Sequence, residues 1–229
     1  MKEINRELVQ QFRPPAFPGS FFLSFEGIEG AGKSTQIIRL KEYLEQQDFR
    51  VLILREPGGT PFGEKLRQAI LSSTTELEPI AEAYLFASSR AQLLTEVTLK
   101  ELNTPGTVVI YDRYIDSSIA YQGMARGLGV DTVLQIHNVF PLNLMPHKTF
   151  YLQISADTSL GRQTMRNAPK DYFEVRGKAF YEKLIDGYNT SIDLFSDRIS
   201  VIDGNRSLDQ VFESIKEQIN ELIFKKDEQ

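Results

Sequence analysis

The chain contains no cysteine, so neither a disulfide framework nor a thiolate metal site is open to it. Histidine is scarce, with only His137 and His147 present, which argues against an imidazole-based zinc site. No apolar run approaches the ~18–20 residues that a membrane span needs. Basic residues are not in excess: 26 stand against 31 acidic ones, for a net charge of −5. A general nucleic-acid binder would carry a basic surplus or a basic face, so no nucleic-acid polymer and no membrane is expected as a partner. The opening stretch MKEINRELVQQFRPPAFPGS is too polar and too acidic to read as a secretory or transit peptide. The resulting expectation is a cytoplasmic enzyme or switch protein.

What is present is an ordinary globular composition, 41% hydrophobic and 25% charged over 229 residues, a length that suits one α/β domain. Pro14, Pro15 and Pro18 mark residues 1–19 as an N-terminal extension outside the core, leaving 20–229 as the domain. No internal repeat or low-complexity block appears. Short apolar runs at 21–26, 51–55, 107–112, 148–154 and 199–203 read as strands. Helical patterns alternate with them near 33–47, 61–72, 79–101, 130–138, 175–194 and 207–224. Several strands are almost continuously apolar, as in a parallel sheet covered on both faces. The expected fold is therefore a doubly wound α/β domain with a five-stranded parallel sheet and helices on both faces. Ligands in such folds sit beyond the carboxyl ends of the strands.

The first strand runs directly into GIEGAGKS (27–34), a complete G-x-x-x-x-G-K-[S/T] pattern in its required strand–turn–helix context. Gly27, Ile28, Glu29, Gly30, Ala31 and Gly32 form a turn small enough for backbone N–H groups to face phosphate oxygens. Lys33, Ser34 and Thr35 open the helix, whose N-terminal dipole end favours the same anion. Lys33 is expected on the β- and γ-phosphates, and Ser34 is placed to ligate Mg²⁺. This is a nucleotide site, and it leaves open a switch or a phosphotransferase. No guanine-reading N-K-x-D segment follows.

The other strand ends carry further charge. REPGGTPFG (55–63) puts Arg55 at a strand end before a tight turn. DRYIDSSIAYQG (112–123) puts Asp112 where a carboxylate can hold Mg²⁺ through water, beside Arg113 with its bidentate phosphate grip. In EAYLFASSRAQLL (82–94), Phe86 and Arg90 share a helix face. They read either as core and surface residues, or as a ring and a guanidinium gripping a base.

FEGIEGAGKST, REPGGT, LFASSRAQ and DRYIDSSIAYQG occur in that order and spacing. With them the chain, from about Phe21 to Phe224, resembles the bacterial thymidylate kinases, P-loop nucleoside monophosphate kinases that phosphorylate dTMP with ATP and Mg²⁺. The resemblance implies that Glu29 lies near the sugar and phosphate of the monophosphate, and that Arg55 and Arg113 hold its phosphate. It further implies that Phe86 stacks on thymine, Arg90 bonds its O4, and Ser118 and Gln122 line another edge. Tyr121 would crowd the 2′ position. A helical lid over about 155–176 would bring arginines to the transferring phosphoryl, and a homodimer is implied. Some members carry a catalytic arginine in the loop where this chain has Gly30; here the charge would come from Arg162 and Arg166, alongside Lys33 and Arg113. The lid departs from the common pattern at DYFE (171–174), where Tyr172 supplies no cation. The alternatives are another nucleoside monophosphate kinase of the same fold, or a nucleotide-binding switch without transfer activity.

Overall fold

The computed structural model describes residues 4–165 and 177–224. Five strands, β1 (Phe21–Glu26), β2 (Arg50–Arg55), β3 (Thr107–Asp112), β4 (Lys148–Gln153) and β5 (Ile199–Asp203), form one all-parallel sheet in the order β2-β3-β1-β4-β5. The chain moves from β1 out to β2, returns through β3, then crosses to β4 on the other side of β1. That reversal opens the crevice where ligands bind in doubly wound sheets. The five strands appear where the apolar runs place them, with ends shifted by no more than one residue.

The sheet is buried because its centre is nearly uniform in apolarity. Phe22, Leu23 and Phe25 of β1 and Val108 to Tyr111 of β3 are fully covered. Two polar residues in that interior satisfy each other, Ser24 Oγ lying 2.7 Å from Thr149 Oγ1, as burial of hydroxyls demands. Helices α2 (Lys33–Glu45), α3 (Pro61–Leu71), α4 (Pro79–Leu93), α7 (Val130–His137), α8 (Ala156–Met165), α9 (Lys178–Leu194) and α10 (Leu208–Ile223) surround it. In α10, Val211, Ile215, Ile219 and Ile223 are buried at a four-residue spacing, the apolar stripe of an amphipathic helix. Ser207 and Gln210 close its start with a reciprocal capping box,.

Two departures from the sequence reading have physical causes. The expected helix at 79–101 is α4 followed by a widened π-helical turn, Leu94–Thr98, and a short α5, Leu99–Leu102. The stretch after β3, read as a loaded turn, is instead helical: α6 (Ile115–Ser118) runs into a π-helical segment, Ile119–Ala125. Residues Ile119 to Gly123 are all buried, so no polar face exists to give an amphipathic period.

The expectation that residues 1–19 lie outside the core is corrected at Phe12, which is buried and packs edge-on against Phe195. A short helix α1 (Arg6–Val9) precedes it. The arm is tied down by Met145 N–H donating to Arg13 O at 2.9 Å and Arg13 N–H donating to Asn143 O at 3.2 Å. Its anchors are Phe12 and the partly buried Ile4, Leu8, Val9 and Phe17, too scattered among polar residues and prolines to stand out as core in the sequence.

Helix α9 packs along the π segment at Gly187, where an added Cβ would sit 2.5 Å from Ala120 Cα. Gly187→Ala is therefore expected to cost about 1–3 kcal/mol through overpacking, measured by chemical denaturation. A variant as stable as the parent would show that the two helices are not in this close contact.

Candidate active site

Loop 27–32 leaves the end of β1 and enters α2 through Gly32, at φ 96° and with no side chain capping the helix. The first-turn N–H groups of α2 thus have no side-chain acceptor, the arrangement that receives an anion. Ile28 and Ala31 are buried and anchor the loop to the core. Gly27, at φ 140°, approaches β4 so closely that a Cβ would meet Leu152 O at 2.6 Å. Glu29, Gly30, Gly32, Lys33, Ser34 and Thr35 line a cavity of about 520 Å³. Lys33 Nζ donates to the loop's own carbonyls, Gly27 O at 2.8 Å and Ile28 O at 3.3 Å.

The parallel register places the other strand ends at the same level. Asp112 pairs with Phe25 of β1 on one side and with Arg55 of β2 on the other. Both Arg55 and Asp112 line the cavity. Arg55 is half-exposed, and among the described residues its ion-pair contact is with Glu64 at 3.8 Å, so its guanidinium is largely unspent there. Arg113 takes a left-handed φ of 73° while its N–H donates to Phe25 O at 3.0 Å. Such a backbone at a non-glycine residue is uncommon and clusters at functional sites. It turns the Arg113 side chain to Glu29, Nη2 donating to Oε1 at 2.6 Å. Nη1 donates to Ser117 Oγ at 3.3 Å and Tyr188 Oη at 3.0 Å. Tyr121 also donates to Glu29 Oε1, at 2.7 Å. Glu29 Oε2 is buried with no hydrogen-bond partner among the described residues, an acceptor aimed at the site.

Behind this group lies Glu26, fully buried. It accepts from Tyr114 N–H at 2.7 Å, Ser117 N–H at 3.2 Å and Ser117 Oγ at 2.6 Å. It thereby pins the turn that carries Arg113. Burial, then the nearby Asp116 charge, pushes its carboxyl up to about 7. Asp116 is held in turn by a bidentate pair with Arg198, at 2.6 and 3.0 Å.

The far end of the cavity is lined by Phe86, Arg90, Ser118, Tyr121 and Gln122. Phe86 is half-buried and Arg90 is not a surface charge: it is 1% exposed. Nε and Nη2 of Arg90 both reach Glu56 Oε2 at 2.6 Å. Nη1 lies 3.1 Å from Ser118 Oγ and 2.7 Å from His137 Nε2. His137 Nδ1 faces Val133 O at 2.7 Å, so Nδ1 carries the proton and Nε2 accepts from Arg90. Burial and the Arg90 charge depress this histidine to about 3, which keeps it neutral. The widened turn at Ile119–Ala125 brings Tyr121 and Gln122 to one wall, as π-helical insertions at functional sites do.

The family model described as thymidylate kinase matches residues 25–215. The chain belongs to the thymidylate kinase family. It is 39% identical over 202 residues to a thymidylate kinase of Thermoanaerobacter sp. (strain X514), covering 88% of this chain and 98% of that protein. It is 40% identical over 200 residues to one from Acholeplasma laidlawii (strain PG-8A), covering 86% and 98%. The crystal structure of thymidylate kinase from Ehrlichia chaffeensis superposes with a TM-score of 0.69 at 28% identity, over 88% of this chain and 99% of that one.

Within the family frame, Arg162 is placed apart from the cavity. It clasps the phosphate loop, donating to Gly30 O at 2.8 Å and to Gly204 O at 3.0 Å. A Cβ on Gly30 would press on Arg162 Cβ at 3.2 Å, so the small loop residue and this arginine of α8 fit one another. Arg166 and the DYFE stretch, with half of the expected lid at 155–176, lie outside the described residues. Sequence reasoning missed Glu26, Glu56, Ser117, His137 and Tyr188 as contributors. Glu56 adjoins Arg55 in REPGGT and so had a signal; Tyr188, on a distant helix, had none.

Lys33 is held down to about 8, by burial first and then by the Arg113 charge, against the pull of Asp112, Glu29 and Glu26. A nucleotide's phosphates would raise it again, so above pH 8 binding takes up a proton and affinity falls as pH rises. Calorimetry at pH 8.5 in two buffers of different ionisation enthalpy is expected to show proton uptake on ATP binding, absent in Lys33→Arg. No uptake by the parent would mean that Lys33 stays charged in the empty site.

Proposed function

We infer that the chain transfers the γ-phosphoryl group of ATP to dTMP, giving dTDP and ADP, in dTTP synthesis. The observation that carries this is the single cavity in which a phosphate loop, two arginines on neighbouring strand ends and a Phe86–Arg90 pair all face one space. A switch protein needs the first of these but not the others.

On this reading ATP's phosphates lie on the loop 27–34 and the dTMP phosphate lies between Arg55 and Arg113. An oxygen of that phosphate forms the new O–P bond to the γ-phosphorus while the β,γ-bridging bond breaks and ADP leaves. Lys33 exchanges its hold on the Gly27 and Ile28 carbonyls for the β- and γ-phosphates. Positioning and charge neutralisation carry most of such a transfer, and the two phosphates repel unless cations lie between them. Ser34 and Asp112 supply a hydroxyl and a carboxylate on one cavity wall, hard oxygen donors that suit Mg²⁺. Mg²⁺ held by these two side chains would offset the negative charge of the nucleotide's phosphates. Glu29 Oε2 offers its empty acceptor to the acceptor nucleotide's sugar, and the Tyr121 ring narrows the space beside it. Phe86 stacks on the base, Arg90 donates to O4, and Ser118 and Gln122 line the remaining edge. Lid arginines Arg162 and Arg166 complete the charge at the γ-phosphate, Arg162 on release from its clasp.

The same reading places the enzyme in the cytoplasm as a homodimer. Exposed Phe62 on α3, with Ile80 and Tyr84 on the adjoining α4, offers apolar surface that fits such pairing. No helix among the described residues is long and apolar enough to cross a membrane.

A coupled ADP-release assay with dTMP, dUMP, dCMP, dGMP and AMP as acceptors tests the assignment. The greatest stimulation is expected from dTMP. Preference for AMP or dCMP would select another nucleoside monophosphate kinase, and no stimulation by any acceptor would favour the switch.

A further inference from the structure

Gln122 is buried on the cavity wall, and its carboxamide is not free to turn. Its Nε2 donates to Glu82 Oε1 at 2.8 Å. Glu82 is itself fully buried and does not line the cavity. A carboxylate accepts hydrogen bonds and cannot donate them, so it accepts the NH₂ half of the amide and refuses the carbonyl half. On its other side Glu82 faces the Arg126 guanidinium, whose Nε lies 3.3 Å from Oε2, a cation placed to pair with a carboxylate. Arg126 is in turn buried and held by Glu76 and the Leu77 carbonyl. The consequence falls on the other end of the amide: Gln122 presents its oxygen, an acceptor, to the cavity.

We propose that Glu82 is a positioning residue that fixes the Gln122 amide with its carbonyl toward the base, and so selects pyrimidines that carry a proton on N3. This rests on the reading of the cavity as a thymidylate site. Thymine and uracil both have an N3–H donor, which a carbonyl oxygen satisfies. Cytosine has an unprotonated N3, which would leave two acceptors facing each other in a buried place. An unmatched buried polar pair is what gives strong discrimination between otherwise similar ligands. Arg90 reads a different atom and makes a separate contribution, since all its hydrogens are donors. An amide alone cannot discriminate at N3, because it meets either base by flipping. The carboxylate behind it removes that freedom.

Glu82→Gln tests the inference, because a second amide in place of the carboxylate lets Gln122 adopt either orientation. The enzyme is expected to show KM values for dTMP and dUMP raised about tenfold together, with kcat and the KM for ATP little changed. The ratio of kcat/KM for dTMP over dCMP should fall about tenfold or more. In a Gln122→Ala background, Glu82→Gln should no longer alter that ratio. Equal losses for dTMP and dCMP, or an unchanged ratio, would overturn the proposal and leave Glu82 a structural residue. A parent enzyme that does not accept dTMP at all would instead sink the thymidylate reading, and this inference with it. A nuclear magnetic resonance measurement on the unaltered chain covers a variant that fails to fold. The Glu82-bonded proton of the Gln122 carboxamide should be shifted downfield and keep its shift when dTMP is added. Loss of that shift would mean the NH₂ group turns to the base, and would also overturn the proposal.

Discussion

The pairing of Glu29 with Arg113 is the contact on which the site depends. It joins the phosphate loop after β1 to the turn after β3 through a 2.6 Å charged hydrogen bond. It does so in a space that also holds Lys33, Arg55 and Arg90 on its walls. So many cations around one cavity repel each other, and burial adds to the cost of each charge. Each tightly buried cation is accordingly matched. Glu29 faces Arg113, Glu56 faces Arg90, and Lys33 rests on carbonyls with Asp112 and Glu29 nearby. Burial opposes ionisation of Glu29, yet Arg113, Lys33 and the Tyr121 hydroxyl outweigh it and hold the carboxyl below its ordinary range.

Arg55 is the exception among these cations, half-exposed and loosely engaged. On the proposed reading, the site is thus preorganised where the ligand is oriented and open where its phosphate enters. Preorganised charge acts without a reorganisation cost during reaction. The strained backbone at Arg113 fits the same scheme: Glu26 and Arg198 brace the turn from behind, through Ser117, Tyr114 and Asp116. A turn held from both sides can keep an unfavourable φ that an isolated loop would relax.

Much of this was legible in the sequence, for a physical reason. A phosphate loop needs small residues at fixed spacing, and continuous apolar strands announce a parallel sheet, so both leave local signatures. Arg55, Asp112 and Arg113 were readable because strand ends in this topology converge, and the register sets Arg55 and Asp112 at one level with Arg113 next in the chain. Arg90 was ambiguous, because helix spacing tells which residues share a face but not what that face meets. The partners of the readable residues were hidden. Tyr188 comes from α9, His137 from α7 and Glu82 from the turn before Phe86 on α4, and only folding brings them into range. The helical character of 115–125 was hidden as well, since a helix buried all round has no amphipathic period. Phe12 shows the opposite case, an aromatic in a proline-rich arm whose burial depends on a surface formed by distant residues.

The central claim is that Arg113, set by Glu29, and Arg55 receive the acceptor phosphate while Phe86 and Arg90 receive its base. A crystal structure of the chain with dTMP tests it most directly. The account predicts the dTMP phosphate within hydrogen-bond distance of both Arg55 and Arg113, with thymine stacked on Phe86 and its O4 against Arg90. A dTMP phosphate seated on the loop at Gly32 to Ser34, or a base lying away from Phe86, would contradict it.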